Sequence, residues 1–360
     1  MSGRARLGSL ALALASLAIS LAAVELGLRA GIRLGVPALR DPDLYADAST
    51  DDDWWKLHHR WGGRFELPSA RQVDPLLGWS LPRTPSNPLG VLRDEPYRVD
   101  PRAPAILFYG DSFVRGMTPM PERIPQRLEA RLGGPAVYNY GIGGYGLDQI
   151  YLRFRASHAS FERPFVLFGV MTDDIDRCVL RVRSGPKPYF ELDGDALVLR
   201  GTPVDPDPRA WLERNPPSIA SYFGALVTRK LRLLRAAGRP SESAYGQERK
   251  RRLADRLLEA VVREARDRDL PLLFVFFYPR YELDFVGWRE RFLREAAARL
   301  AVETLDTKQV LLAEASRRGV PAHSFYEGGH PNALGNDLVA AALAERLRAR
   351  QGAERSQSAP

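Results

Sequence analysis

The chain has 360 residues, 45% of them apolar and 27% charged, which suits one large domain with appendages and excludes a disordered, collagenous or coiled-coil protein. Its net charge is +8, yet lysine occurs only at 56, 187, 230, 250 and 308; no recognised motif accompanies the arginine excess, which points to solvated helix faces near anionic lipid and not to nucleic acid. The one cysteine, Cys178, excludes an intramolecular disulfide and a cysteine-based zinc site.

Residues 1–6 form a short tail carrying Arg4 and Arg6. The uncharged run Leu7–Val24 extends roughly 27 Å at about 1.5 Å per residue, close to the hydrocarbon thickness of a bilayer. Glu25 falls at the far interface, followed by Arg29 and Arg33. No small-x-small site ends the run, so residues 7–28 are expected to be a retained transmembrane anchor rather than a cleaved signal. The tail is expected inside and the bulk outside, in the periplasm or at the cell surface. Its place at the extreme N-terminus, its length and its lack of a polar face argue against a buried core helix.

Residues 29–102 read as an extracytoplasmic lead-in. Turn formers punctuate it (Pro37, Pro42, Gly62-Gly63, Pro68, Pro75, Pro82, Pro85, Pro88). Trp54, Trp55, Trp61 and Trp79 indicate that it packs on something. From residue 103 the pattern changes. Strands are predicted at 105–109, 136–140, 165–171 and 272–278, each an apolar run with Gly or Pro at or near its end. Helices are predicted over 121–132, from about 147, and over 247–268, 288–301 and 333–350. Alternating strands and helices imply a parallel sheet covered on both faces. Residues 181–245 interrupt the alternation as an insertion, with extended pieces near Pro188–Phe190 and Ala196–Leu199 and a cap role at the site. A disordered tail is expected over 351–360.

In an open parallel sheet, ligands bind outside the carboxyl ends of the strands. Gly110-Asp111-Ser112 follows the first strand, and Gly141, Gly143, Gly144 and Gly146 follow the second. Thr172-Asp173-Asp174 follows the third, and Glu327-Gly328-Gly329-His330-Pro331-Asn332 lies near the end of the chain. A serine nucleophile needs a base within hydrogen-bond reach, because its hydroxyl is protonated at neutral pH. His330 is the candidate base, and Glu327, three residues earlier, is a candidate to orient its ring. Backbone N–H groups of Ser112 and of the glycine loop, with a polar side chain from the third loop, are candidate oxyanion donors. The glycine spacing does not fit a dinucleotide fingerprint.

At these residues the chain resembles the SGNH/GDSL hydrolases over residues 105–350. Phe108–Gly116 is similar to the nucleophile block and Tyr138–Gly146 to the second block. Val170–Ile175 falls where the third block has an Asn-Asp pair, and Glu327–Asn332 is similar to the last block. Asp74–Trp79 and Gly90–Arg93 resemble the lead-in of membrane-anchored members. The resemblance implies a three-layer α/β/α fold of flavodoxin-like type over 103–350. It implies Ser112 as nucleophile, His330 as base and Glu327 as the third member. Ser112, Gly144 and Asp173 are then the oxyanion-hole residues, with no metal and no organic cofactor. Two departures stand out. Asp173 replaces the family's oxyanion asparagine, with Thr172 as a substitute donor, and Glu327 replaces the usual aspartate.

The expected function is that of a membrane-anchored serine esterase or O-acyltransferase. Its expected substrate is an ester-linked acyl group, acetyl above all, on a small molecule or an envelope glycan. The alternative is a non-catalytic carbohydrate- or envelope-binding protein on a degenerate SGNH fold.

Overall fold

A computed structural model describes residues 3–62, 72–92, 99–100, 102–235 and 246–357. Gly63, Pro68, Arg93 and the last three residues of the expected tail lie outside the described residues. The chain forms two compact units, one from 1–65 with 207–246 and the other from 66–206 with 247–360.

The second unit contains a five-stranded sheet. Its strands are β1 (Ala105–Gly110), β2 (Ala136–Gly141), β3 (Phe165–Met171), β4 (Leu272–Phe277) and β5 (Glu303–Asp306). All neighbours pair in parallel, in the order 2-1-3-4-5. That order is the flavodoxin-like arrangement, whose switch point lies between β1 and β3. Side chains alternate across the sheet. On one face Ile106, Phe108, Val275 and Phe277 pack on Ile124, Leu128, Leu311, Val339 and Leu343 from three helices. On the other, the Tyr109 ring meets Phe154 at 5.5 Å and Tyr140 at 4.8 Å. The helices Leu147–Ser157 and Gln247–Asp267 cover this second face. The fold is therefore the expected α/β/α three-layer sandwich. β5 was not foreseen, because only Leu305 of its four residues is buried. The last helix runs to Gln357, past the 350 expected from the apolar pattern.

Part of the lead-in is bonded into this unit. A hairpin (Gln72–Asp74 with Gly78–Ser80) buries Trp79 completely. Gln149 donates to the Leu77 carbonyl at 2.7 Å, and the buried Arg153 donates to the Leu89 and Gly90 carbonyls. The expected insertion is not one piece. Its extended segments form the hairpin Tyr189–Asp193/Ala196–Arg200 within the second unit. From residue 207 the chain belongs to the first unit. The lead-in divides likewise, near residue 65.

The first unit is built on the helix Gly3–Leu34, whose part Leu7–Leu34 is long and apolar enough to cross a membrane. Ile32, Tyr45 and Leu57 form a small core with Leu39, Tyr222, Ala225 and Leu226 packed against it. Asp53, in the helix Asp52–Gly62, accepts from the Ser218 N–H and hydroxyl at 2.7–3.0 Å. Glu25 accepts from Ser221, Tyr222 and Phe223. These carboxylates assign 207–235 to this unit and not to the sheet domain.

Deep in the second unit Lys187 is ion-paired with Asp148, and both side chains are fully buried. Breaking one partner of such a pair leaves an uncompensated charge and costs about 3–5 kcal/mol. Asp148→Ala is expected to lower urea stability of the detergent-solubilised chain by that amount, and the double variant Asp148→Leu/Lys187→Met to recover most of it. Equal loss in the single and double variants would show that the pair is not an isolated charge couple.

Candidate active site

Three strand-end loops converge at the switch point. After β1, Asp111 accepts from the Phe113 N–H at 2.8 Å and starts the four-residue helix Ser112–Arg115. Gly141 ends β2 where the backbone of that helix passes: a Cβ there would lie 2.2 Å from the Arg115 nitrogen. After β3, Asp174 accepts from the Met171 N–H at 2.9 Å. Arg177 joins the three loops. Its Nη1 donates to Asp111 at 2.8 Å, to Asp174 at 2.8 Å and to the Tyr145 carbonyl at 3.3 Å. Burial first, and the nearby Asp111 second, push the Asp174 carboxyl well up, while Arg177 opposes them. Asp176, facing away, is ion-paired with Lys250 and Arg289 and fixes this loop from behind.

His330 comes from a later part of the chain, from a hairpin at the same carboxyl edge of the sheet. Gly328 and Gly329, with φ of +55° and +87°, form a two-residue hairpin turn between Tyr326–Glu327 and His330–Pro331. Tyr326 donates to the Tyr278 carbonyl just past β4 and pins the hairpin there. The His330 ring rests on Phe113 with centroids 4.9 Å apart. Its Nε2 lies 2.9 Å from Ser112 Oγ, within the range for proton transfer. Asp111 Oδ2 accepts from the same hydroxyl at 3.3 Å.

The third expected member behaves differently. Glu327 pairs directly across from His330 in the hairpin, close enough for side-chain contact. In this structure its carboxylate is exposed and, among the described residues, makes no hydrogen bond to the ring. The ring Nδ1 lies 3.4 Å from the Gly328 carbonyl instead. The glycine turn leaves the glutamate side chain unconfined, so nothing holds its extra methylene in place.

At the positions expected to form an oxyanion hole, Gly144 has φ +86°, and a Cβ there would meet Arg183 Nη1 at 2.8 Å. Among the described residues, neither the Ser112 nor the Gly144 N–H is hydrogen-bonded. Asp173 accepts from the Tyr281 hydroxyl at 2.8 Å. Thr172, the substitute donor expected from the sequence, is buried, and its hydroxyl donates to the Met171 sulfur at 3.9 Å. Sequence reasoning missed Arg177 and Arg183. Both lie within the electrostatic reach of Asp111, Asp173 and Asp174, and no motif marks them among so many arginines. Among the described residues, no cluster of histidine, cysteine or carboxylates suits a metal ion. A cleft of about 370 Å³ opens beside His330, lined by Met117, Thr118, Glu122, Glu327 and Asn332.

Gly141→Ala is expected to destabilise the protein by about 1–3 kcal/mol through overpacking. It should also displace Ser112, so thermal melting and esterase turnover would fall together. A normal melting temperature with full turnover would show that the helix backbone has room to move.

No family model and no curated protein matches the chain. Solved structures do. A member of the lipolytic G-D-S-L family from Veillonella parvula is 15% identical, with 66% of this chain and 94% of that one covered and a TM-score of 0.37. An acetyl xylan esterase is 13% identical, with 67% and 98% covered and a TM-score of 0.42. An acetylxylan esterase from Geobacillus stearothermophilus is 12% identical, with 67% and 93% covered and a TM-score of 0.39. On its own topology and residues, the chain is a flavodoxin-like α/β/α protein that carries SGNH/GDSL-type blocks at the carboxyl edge of its sheet.

Proposed function

We propose that the protein is a membrane-anchored, extracytoplasmic serine esterase or O-acyltransferase acting on an ester-linked acyl group. The observation that carries this reading is the 2.9 Å approach of His330 Nε2 to Ser112 Oγ at the switch point. Ser112 Oγ attacks the acyl carbonyl carbon while His330 takes its proton. The Ser112 and Gly144 N–H groups face the developing oxyanion. Collapse expels the alcohol, which receives the proton from His330, and leaves an acyl group on Ser112. Water, or the hydroxyl of a second sugar, then takes the acyl group by the reverse sequence. Glu327 reaches the ring by rotation about its own side chain and stabilises the imidazolium.

Asp173 sets the strength of the hole. As an acceptor from Tyr281 it places negative charge at the asparagine position, and Arg183 at Gly144 offsets that charge. Burial and the neighbouring Arg177 lower the Arg183 pKa to about 9, which leaves it a cation at neutral pH. The cleft beside His330 is the place proposed for the acyl group, and the choice of acetyl rests on the family resemblance. The membrane-crossing length of the N-terminal helix favours an acceptor in the envelope, such as a glycan.

Ser112→Ala and His330→Ala are each expected to lower turnover of a simple acetyl ester at least about 10³-fold, as members of one unit. Fluorophosphonate should label the wild type and not Ser112→Ala. Full turnover in Ser112→Ala would remove Ser112 as the nucleophile, and no labelling of the wild type would favour the binding-protein alternative. Asp173→Asn should raise turnover at neutral pH by up to about 10²-fold, since one donor in such a hole is worth roughly that much. Unchanged turnover in both Asp173→Asn and Asp173→Ala would remove Asp173 from the hole.

A further inference from the structure

We propose that the helix Tyr222–Arg235 lies on the membrane surface where the N-terminal helix leaves the bilayer, with an apolar stripe turned into an anionic lipid interface. The inference rests on the membrane-spanning reading of the N-terminal helix. It adds a second and separate lipid contact.

Depth is the first argument. Glu25 is the first charge after the apolar run Leu7–Val24. Its carboxylate accepts from the Ser221 hydroxyl at 2.9 Å and from the Tyr222 and Phe223 N–H groups at 3.1 and 2.9 Å. Arg29 donates to the Ala220 carbonyl at 2.7 Å and stands over the Tyr222 ring. The first turn of the later helix is therefore held at the level where the chain leaves hydrocarbon.

The pattern around the helix is the second. Tyr222, Ala225 and Leu226 face the small core, and Arg229 is ion-paired with Asp47 at 3.3 Å on the same side. Phe223, Val227, Leu231 and Leu234 form another row, at i, i+4, i+8 and i+11. Phe223 and Val227 are half-buried, whereas Leu231 is 46% and Leu234 66% exposed. Lys230, at i+7, borders the row, whereas Arg232 lies roughly 145° round the helix from its centre; both are exposed. A helix with an apolar row beside cations is the form taken by segments lying in the plane of an anionic interface.

Length is the third. The helix has 14 residues and reaches about 21 Å, short of the span a bilayer requires. It can lie on the membrane and cannot cross it.

The buried Cys178 is the only native cysteine, so a nitroxide introduced at a surface cysteine reports one site. The full chain carrying Leu234→Cys, Arg232→Cys or Leu14→Cys would be reconstituted in phosphatidylcholine vesicles with and without phosphatidylglycerol. Accessibility to oxygen and to a water-soluble nickel chelate gives the depth of each label. The Leu14 label should lie deep in the bilayer. The Leu234 label should show high oxygen and several-fold lower nickel accessibility than the Arg232 label, and this protection should weaken without phosphatidylglycerol. A deep Leu14 label with a nickel-accessible Leu234 label overturns the proposal and leaves the anchor standing. A Leu234 label shielded from both reagents indicates a protein partner, such as a second copy, and also overturns it. A water-exposed Leu14 label overturns the anchor itself.

Discussion

One guanidinium holds the site together. Arg177 stands between Asp111 beside Ser112 and Asp174 in the third loop, and it also reaches the carbonyl of Tyr145 in the second. Two carboxylates this buried repel each other strongly unless a cation separates them. Without the cation, the loops after β1 and β3 would be driven apart at the switch point. The sheet brings the three strand ends to one edge, but charge neutralisation allows them to close on one another. The ion pairs of Asp176 with Lys250 and Arg289 carry the same logic one layer deeper.

This arrangement separates rigid from adjustable parts. Ser112 is fixed by the Asp111 turn and by the tight passage of its helix past Gly141. His330 is fixed by Phe113 and by the Tyr326 contact of its hairpin. Glu327 and Asp173 are where the sequence departs from the family pattern, and both have side chains at or near the surface.

Legibility in the sequence followed burial. β1 to β4 were readable because nearly every residue in them is buried, giving continuous apolar runs that end in turn formers. β5 was not, because an edge strand with one buried residue has no such signature. Ser112, His330 and the glycine loop were readable because strand-end position restricts what they can be. The exposed Glu327 carboxylate was not, because a backbone turn and a rotamer decide its contact. Arg177 and Arg183 were hidden by composition, since an arginine is informative only where arginines are scarce. The division of the chain was hidden because carboxylate-to-backbone bonds such as that of Asp53 with Ser218 leave no pattern in hydropathy.

The contact between Glu25 and the start of helix Tyr222–Arg235 spans 198 residues of chain. Residues 3–62 leave the ribosome before 207–235, and the segment that completes their small core follows only after all of β1 to β3. At about 5–20 residues per second the wait is on the order of 10–40 s. Throughout it, Tyr45 and Leu57 lack Tyr222 and Leu226 as cover, while the strands between are already free to pair. When residues 207–246 have been made, the sheet unit still lacks β4, β5 and the rest of 247–360, so synthesis order makes the first unit the earlier of the two to be complete.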